Sequence, residues 1–378
     1  MSEDWIGDLV ARAAEAPHAP ALLVPGGESR TYGELVAECE QVRAALLAAG
    51  IQSGEGVVLF LPSGPDLIRA FTAVASLSAL AVPLSPTLTS YELPEILALA
   101  EPQILITQRE VWADFESSLW LVHVRHILFL DGPPGNQPPQ GVTWSGLGEA
   151  RSDLVSPAPD AIVGCHFTYK GLGAPLGALH RYRSYGIAAA SLAAHYPSTG
   201  SDTTLVVLPF HQVYGLVCSV IAPLTQGWPL VLPARFNPRR IVDLLAEHEA
   251  RFVSLVPGLI PFLISAARKA PELASGLAER LVVASGGTLL EAELIHELRE
   301  VLGVRAFQGY GLSETLPFTT NVPVRDLPGS LGWPLSPAHQ VQIRDAEGDP
   351  VPTGQAGEVW LKGPTLMVGY RRRPRETA

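Results

Sequence analysis

Short runs of β-branched and other apolar residues alternate with longer amphipathic stretches along most of this chain. The runs at 57–61 and 104–107, for example, are separated by helical patterns at 65–79 and 91–100. This alternation favours a mostly parallel sheet with helices on its faces, because parallel neighbours need a long crossover connection. We therefore expect an α/β protein.

A Pro- and Gly-rich segment at 131–140 is the clearest break in the first half of the chain. A second strand–helix series follows, with predicted strands at 162–167, 204–208, 230–232, 252–256, 281–284 and 304–307. After Pro328 the pattern changes to two alternating strands, at 341–344 and 358–361, joined by a hairpin-like turn. We predict a first α/β lobe over residues 1–160, a second over 161–328 that carries the ligand site, and a small β-rich lobe over 329–378.

Composition excludes several classes of protein. Of the 378 residues, 47% are hydrophobic, which is enough for a large core and excludes a disordered chain. The formal charge of −11 argues against a general nucleic-acid-binding protein, which needs a basic surface. Cys39, Cys165 and Cys218 lie far apart, so they offer no zinc spacing and fit a reducing compartment. We see no basic leader and no long apolar run, and we expect a cytoplasmic protein without a membrane span.

Glycines follow the predicted strand at 162–167. Gly171, Gly173 and Gly177 precede a predicted helix that begins at about residue 184, and such glycines let backbone N–H groups approach a phosphate. Their spacing is one residue too long for the dinucleotide-binding fingerprint, and the Gly-Lys-Ser/Thr of a P-loop is absent. From the residues alone, a tight surface turn is at least as good an interpretation as a phosphate loop.

Three further segments also follow predicted strands: 208–215 (LPFHQVYG), 284–288 (ASGGT) and 308–315 (QGYGLSET). A lone histidine such as His211 is more often structural than catalytic. Tyr310, between two glycines, can lie against a flat ligand ring. Glu314 is either a Mg²⁺ ligand or a carboxylate satisfied within its own turn. Because the ends of parallel strands meet at one edge of a sheet, the four segments together predict a ligand site.

The order and spacing of these segments resemble the superfamily of AMP-forming acyl-CoA synthetases, adenylation domains and luciferases. The residues that carry the resemblance are TYGEL at 31–35, ALAVPLSP at 79–86, LPFHQVYG at 208–215, SGGTLL at 285–290, QGYGLSET at 308–315, GSLG at 329–332 and GEVWLKGP at 357–364 with Gly369-Tyr370. The similarity extends over essentially the whole chain. It implies the large N-terminal domain of an adenylate-forming enzyme, with two doubly wound sheet lobes and a small β lobe.

The resemblance implies a two-step reaction. ATP and a carboxylic acid form an acyl-adenylate and pyrophosphate, and the acyl group then passes to coenzyme A or another thiol. Glu314 would bind Mg²⁺, Ser313 would contact the α-phosphate and Tyr310 would stack on adenine. Other residues implied to bind the nucleotide are Gly171, Gly173, Gly177, Ser285, Gly286, Gly287, Gln308, Gly309 and Gly311. The acyl pocket is implied at His211, Gln212, Tyr214 and Gly215.

Three departures from the family pattern qualify these implications. The phosphate loop, roughly Ser-Gly-Thr-Thr-Gly-x-Pro-Lys-Gly in the family, aligns with 169–177 (YKGLGAPLG), which lacks the paired hydroxyls and the late lysine. Lys170 either replaces part of that charge, which would make it catalytic, or points to solvent. The family's histidine in the Pro-Phe-His box aligns with Gln212. Its Thr-Gly-Asp motif and its domain with the catalytic lysine would follow Ala378.

Two functions fit the sequence. The first is an AMP-forming carboxylic acid–thiol ligase of the acyl- or aryl-CoA type, working with a C-terminal domain or a carrier protein in trans. The second is a catalytically impaired homologue that binds an acyl ligand or AMP as a carrier or partner subunit. The intact segment at 308–315 favours the first, and the altered phosphate loop favours the second. The residues do not identify the acid or the thiol acceptor.

Overall fold

The computed structural model describes residues 2–377 except 90–91, 114–120, 122, 169–174, 197–201, 235–236, 279, 322–326 and 328. The strands are, in chain order, β1 (Pro20–Leu23), β2 (Arg30–Thr31), β3 (Gly56–Phe60), β4 (Leu80–Leu84), β5 (Pro102–Thr107), β6 (His126–Phe129), β7 (Thr143–Gly146), β8 (Ile162–Thr168), β9 (Leu176–Arg181), β10 (Thr204–Leu205), β11 (Leu230–Val231), β12 (Phe252–Leu255), β13 (Val282–Ser285), β14 (Arg305–Leu312), β15 (Leu316–Thr320), β16 (Trp333–Pro334), β17 (Gln340–Arg344), β18 (Glu358–Lys362) and β19 (Gly369–Tyr370).

Helices connect most of the parallel strands. The α-helices are α1 (Trp5–Glu15), α2 (Tyr32–Ala48), α3 (Pro65–Ser76), α4 (Glu92–Ala100), α5 (Arg109–Ala113), α6 (Tyr182–Ala193), α7 (Val213–Leu216), α8 (Ala222–Thr225), α9 (Ile241–Glu247), α10 (Ile260–Lys269), α11 (Pro271–Ser275), α12 (Ala292–Leu302) and α13 (Pro374–Thr377). A π-helix spans Val217–Ile221, between α7 and α8. Crossing a bilayer would take a longer and more continuously apolar helix than any that the described residues form.

Two large sheets carry the fold. In the first sheet the strand order is β19-β9-β8-β4-β3-β5-β6-β7, and the strands from β8 to β7 are parallel. In the second sheet the order is β16-β15-β14-β13-β12-β10-β11-β1-β2, and the strands from β14 to β1 are parallel. Antiparallel strands complete one edge of the first sheet and both edges of the second. The prediction of an α/β fold is confirmed.

The largest hydrophobic core lies between the two sheets. It joins residues of both sheets, such as Leu59 of β3 and Leu22 of β1, to residues of α1, α2, α3 and α6. A second core packs α9 to α12 on the other face of the second sheet, and a third packs α4 and α5 on the other face of the first. Each sheet therefore has helices on both faces, which is the doubly wound arrangement.

Two pairs of strands join a different sheet from the one that chain order predicts. Strand β8, the first of the predicted second series, pairs with β4 in the first sheet, and β9 follows it there. Strands β1 and β2 instead lie beside β11 in the second sheet. The division at residue 160 therefore does not coincide with the division between the sheets. Local patterns identify a strand, but its partner depends on tertiary packing.

A second strand, β9, lies between β8 and the next helix, whereas the glycines after β8 predict a strand, a loop and then a helix. Strand β9 pairs antiparallel with β8, from Thr168 opposite Leu176 to Ile162 opposite Arg181, and α6 begins directly afterwards. Gly177 lies within β9, where a Cβ atom would be 2.7 Å from the Cys165 sulfur. Close packing between β8 and β9 therefore explains this glycine.

Some strands of the predicted C-terminal lobe belong to the two large sheets. The predicted hairpin at 341–344 and 358–361 is confirmed as the antiparallel pair β17 and β18. Strand β16, however, extends the second sheet, and β19 extends the first. The last 50 residues therefore link the two sheets as well as forming a separate hairpin.

Candidate functional site

A partly open cavity lies at the carboxyl end of β13 and along β14 in the second sheet. Residues 284–287 and 307–312 border it, together with Val213 and Tyr214 of α7. Three of the four predicted segments therefore contribute to one cavity. Of the fourth, Lys170, Gly171 and Gly173 lie outside the described residues, and Gly177 lies in β9 of the first sheet.

The Gln-Gly-Tyr-Gly segment is part of a strand, whereas the sequence predicts a loop after a strand. Strand β14 continues through it and pairs with β15. A Cβ atom on Gly309 would lie 2.9 Å from the main-chain oxygen of Thr319, and one on Gly311 would clash with that of Leu316. The two glycines thus allow β15 to approach, and they place Tyr310 at the cavity between them.

The ring of Tyr214 lies across Gly286. A Cβ atom on Gly286 would be only 3.2 Å from the Cζ atom of the ring. The Tyr214 hydroxyl donates towards the main-chain oxygens of Ala284, at 3.3 Å, and Leu255, at 3.4 Å. Burial raises the pKa of Tyr214, so the hydroxyl remains protonated at neutral pH. The next residue, Gly287, has a φ of 87°, which favours glycine.

Two buried residues that border the cavity have a side-chain oxygen without a hydrogen-bond partner among the described residues. They are Oγ of Ser285, which is 2% exposed, and Oε1 of Gln308, which is 1% exposed. Nε2 of Gln308 donates to the main-chain oxygen of Thr288 at 3.4 Å. Buried polar atoms are almost always paired in folded proteins. These two oxygens are therefore candidates for contact with a polar ligand.

Glu314 lies in the turn between β14 and β15, where the two sheets meet. Its side chain is only 8% exposed, and Oε1 accepts a hydrogen bond of 2.5 Å from the hydroxyl of Tyr370 in β19. Its main-chain oxygen accepts the N–H of Met367 at 2.8 Å. The first sheet therefore holds this carboxylate, in addition to any contact within its own turn.

A second contact from the first sheet holds the residue before Glu314. Nε2 of His180 in β9 donates to the main-chain oxygen of Ser313 at 2.7 Å. His180 is fully buried, and its ring centroid lies 6.1 Å from that of His166 in β8. Burial lowers the pKa of His180 to about 4 and that of His166 to about 3. Both imidazoles are therefore neutral at pH 7.

The other three residues predicted for the acyl pocket do not line this cavity. His211 is half-buried, and burial lowers its pKa. Gln212 is exposed and precedes α7, without a side-chain capping hydrogen bond. Gly215 lies within α7, where a Cβ atom would clash with the main-chain oxygen of Pro209. Only Tyr214 of the four borders the cavity.

Sequence reasoning missed the side of the cavity formed by α6, the π-helix and β15. Leu192 and Tyr196, at and just beyond the end of α6, border it together with Cys218 of the π-helix and Thr319 and Thr320 of β15. These residues belong to ordinary apolar patterns and carry no motif. Nothing in their spacing distinguishes them from core residues.

Comparison with known proteins identifies the family. A family model described as AMP-binding enzyme matches residues 9–371. A sulfoacetate–CoA ligase from Cupriavidus necator is 28% identical over 377 residues, which is 98% of this chain and 72% of the relative.

Solved structures show the same fold. The anthranilate CoA ligase AuaEII in complex with anthranoyl-AMP aligns with a TM-score of 0.86 and 21% identity, over 100% of this chain and 74% of that one. The N-terminal domain of FACL13 from Mycobacterium tuberculosis aligns with a TM-score of 0.83 and 24% identity, over 100% and 93%. The expected N-terminal domain fold of adenylate-forming enzymes is confirmed, and none of these comparisons supports a non-catalytic homologue. Because the family model spans nearly the whole sequence, the chain belongs to the AMP-binding enzyme family, with relatives among the AMP-forming CoA ligases.

Proposed function

We propose that this chain is the adenylation core of a ligase that activates a carboxylic acid with ATP and passes the acyl group to a thiol. The observation that carries the proposal is the pair of unpaired oxygens, on Ser285 and Gln308, in the cavity that Tyr310 borders. A purine has the matching chemistry, because its flat face can lie against the Tyr310 ring and its amino group can donate to Gln308.

The proposed reaction has two steps. A carboxylate oxygen of the acid attacks the α-phosphorus of ATP, the bond from that phosphorus to the oxygen of the β-phosphate breaks, and pyrophosphate leaves. A thiolate then attacks the acyl carbon, and AMP leaves with the electron pair of the broken C–O bond. Ser313 would contact the α-phosphate, and Gly286, Gly287, Gly309 and Gly311 would let the nucleotide approach the backbone.

Glu314 fits the role of a Mg²⁺ ligand in this reaction. Within the described ranges, no group of three or more His, Cys, Asp or Glu side chains could hold a metal ion alone. Mg²⁺ commonly takes one or two carboxylates and completes its shell with phosphate oxygens and water. A single buried carboxylate, oriented by Tyr370, matches that donor set. When bound, the ion would stabilise negative charge on the departing pyrophosphate.

Lys170, with Gly171 and Gly173, is proposed to contribute the phosphate loop, whereas Gly177 lies within β9. Because residues 169–177 lack the family's paired hydroxyls and late lysine, we expect AMP to bind more tightly than ATP. Calorimetry with AMP and with ATP–Mg²⁺ tests this. If ATP binds more tightly and Lys170→Ala abolishes the difference, then Lys170 supplies the missing charge for the β- and γ-phosphates.

The proposal also covers the pocket for the acyl group and the identity of the thiol acceptor. Tyr214 borders the cavity, and His211, Gln212 and Gly215 remain predictions for the acyl pocket. The sulfoacetate–CoA ligase extends beyond the region that this chain matches. We propose coenzyme A or a carrier protein as acceptor, with a C-terminal domain acting in cis or in trans.

The direct test of the nucleotide site uses 5′-O-sulfamoyladenosine, which lacks any acyl group. We expect wild-type protein to bind it, and Gln308→Ala to weaken the binding about tenfold through loss of one buried hydrogen bond. Gln226→Ala, at the carboxyl end of α8, is the matched control and should bind as wild type does. Absence of binding by the wild-type protein would refute the proposed function.

A further inference from the structure

The side of the cavity that sequence reasoning missed is uncharged. Together with Val213 of α7 we call it the tail wall, and it consists of Leu192, Tyr196, Val213, Cys218, Thr319 and Thr320. Two of these side chains are aliphatic and none carries a charged group. Burial raises the pKa of the Cys218 thiol, so the sulfur also remains neutral at pH 7.

The polar atoms of the tail wall are already paired within the protein. The Tyr196 hydroxyl hydrogen-bonds to the side chain of Thr320. Oγ1 of Thr319 donates to the main-chain oxygen of Leu331 at 2.6 Å. In contrast to Ser285 and Gln308, these groups therefore offer little to a polar ligand.

Strand alternation separates the tail wall from the unpaired oxygens. Ala284 and Phe307, on adjacent strands, form a cluster with Phe252 against which Tyr196 packs; the rings of Tyr196 and Phe252 are 4.6 Å apart. Ser285 and Gln308 are the next residues of the same two strands, so their side chains point to the opposite face. The unpaired oxygens and the tail wall therefore lie on opposite sides of the ends of β13 and β14.

The size of the cavity limits what can lie at the tail wall. The space that the centres of water-sized molecules can occupy in it is only about 70 Å³, which is room for a few waters. Under the proposed function, the same space must also take the purine and ribose of an adenylate. The acyl group that reaches the tail wall is therefore short.

We infer that the acid activated by this enzyme carries a compact, uncharged and apolar tail, such as an aryl or short branched alkyl group. This inference rests on the proposed function. A second anion on the acid would lose its hydration at the tail wall and meet no cation among the described lining residues. The sulfoacetate–CoA ligase is named for an acid that has such a second anion.

The test compares four adenylate mimics by calorimetry with the full chain. Three carry a benzoyl, a sulfoacetyl or a dodecanoyl group on 5′-O-sulfamoyladenosine, and the fourth is 5′-O-sulfamoyladenosine itself. We expect the benzoyl compound to bind at least about thirtyfold more tightly than the compound without an acyl group, because its ring is buried at the tail wall. The sulfoacetyl and dodecanoyl compounds should show no such gain.

The outcomes separate the inference from the proposed function. Suppose that 5′-O-sulfamoyladenosine binds, but a sulfoacetyl or dodecanoyl group increases the affinity as much as the benzoyl group does. The inference about the acid is then wrong, and the proposal of a nucleotide site is retained. If the benzoyl group gains nothing, the inference is also wrong. If none of the four binds, the proposed function fails and the inference fails with it.

A variant tests the location of the tail. Cys218→Leu adds volume to the tail wall. We call the ratio of the affinities for the benzoyl compound and for 5′-O-sulfamoyladenosine the benzoyl gain, and we expect the variant to reduce it about tenfold, which is the effect of about one methylene in an apolar pocket. Binding of 5′-O-sulfamoyladenosine by the same variant reports whether it is folded. Cys39→Leu changes a buried cysteine of α2 that does not line the cavity, and it is the matched control. An unchanged benzoyl gain in Cys218→Leu would overturn the assignment.

Discussion

Two neutral histidines buried beside the candidate site predict a loss of stability in mild acid. Burial lowers the pKa of His180 to about 4, although the hydrogen bond to Ser313 and the charge of Glu314 oppose the shift. Burial and the neighbouring His180 lower the pKa of His166 to about 3. In the unfolded chain both groups return to about 6.5. The unfolded state therefore binds more protons below pH 6.5, and stability present above that pH is lost as the pH falls towards 4.

The size of the effect follows from the two pKa values of each histidine. Between pH 7 and pH 5, proton uptake by each histidine in the unfolded chain lowers the free energy of unfolding by about 2 kcal/mol. Gln at position 180 keeps an N–H donor for the Ser313 carbonyl but does not titrate. We expect His180→Gln to lose about 2 kcal/mol less than the wild-type protein over this interval. Urea titrations at pH 7, 6 and 5, followed by tryptophan fluorescence, measure both losses.

An exposed histidine provides the control. His296 lies on the solvent side of α12, and His296→Gln should show the same loss as the wild-type protein. If His180→Gln loses as much free energy as wild type, the imidazole of His180 is protonated or hydrated in the folded protein. That result would refute the assignment of a dry, neutral histidine behind Ser313.

Three further predictions concern the candidate site, in which Gly286 and Gly311 border the cavity and Glu314 lies outside its lining. Glu314→Gln keeps an acceptor for Tyr370 but removes the negative charge. We therefore expect calorimetry to show loss of Mg²⁺-dependent nucleotide binding, with little change in melting temperature. A large drop in melting temperature with unchanged Mg²⁺ dependence would make Glu314 structural. Gly286→Ala pushes the Tyr214 ring into the cavity and should weaken 5′-O-sulfamoyladenosine binding about tenfold, whereas adding Tyr214→Ala should restore it if the ring is the cause. Gly311→Ala should lower the melting temperature far more than Gly258→Ala, where a Cβ atom meets nothing within 4 Å, and equal effects would contradict the close approach of β14 and β15.

The general fold could be predicted because its signals are local. The Thr31 and Glu34 capping box, for instance, forms as its spacing predicts and starts α2. The choice of strand partners could not be predicted, since β8 and β1 carry patterns that fit either sheet. Their places follow from the helices packed between the sheets, and no short stretch of sequence encodes that packing.

The glycines of the site show a second limit. The sequence predicts that the glycines around 286 and 309 bind a nucleotide, and the structure shows that they also allow close packing with residues that lie elsewhere in the sequence. Gly286 accommodates the ring of Tyr214, and Gly309 accommodates the backbone of β15. A single sequence shows that the side chain is missing but does not show what occupies its place.

Glu314 shows how the two sheets act on one turn. Tyr370 and Met367 contact Glu314, and His180 contacts the residue before it. The amide of Val368 also donates to Leu179 at 2.7 Å, which connects these first-sheet segments to each other. Strand β9 begins at Leu176, within the segment predicted as a phosphate loop, and it takes part in holding the turn that carries Glu314. The hydrogen bond from His180 to Ser313 thus joins two segments that lie 133 residues apart in sequence.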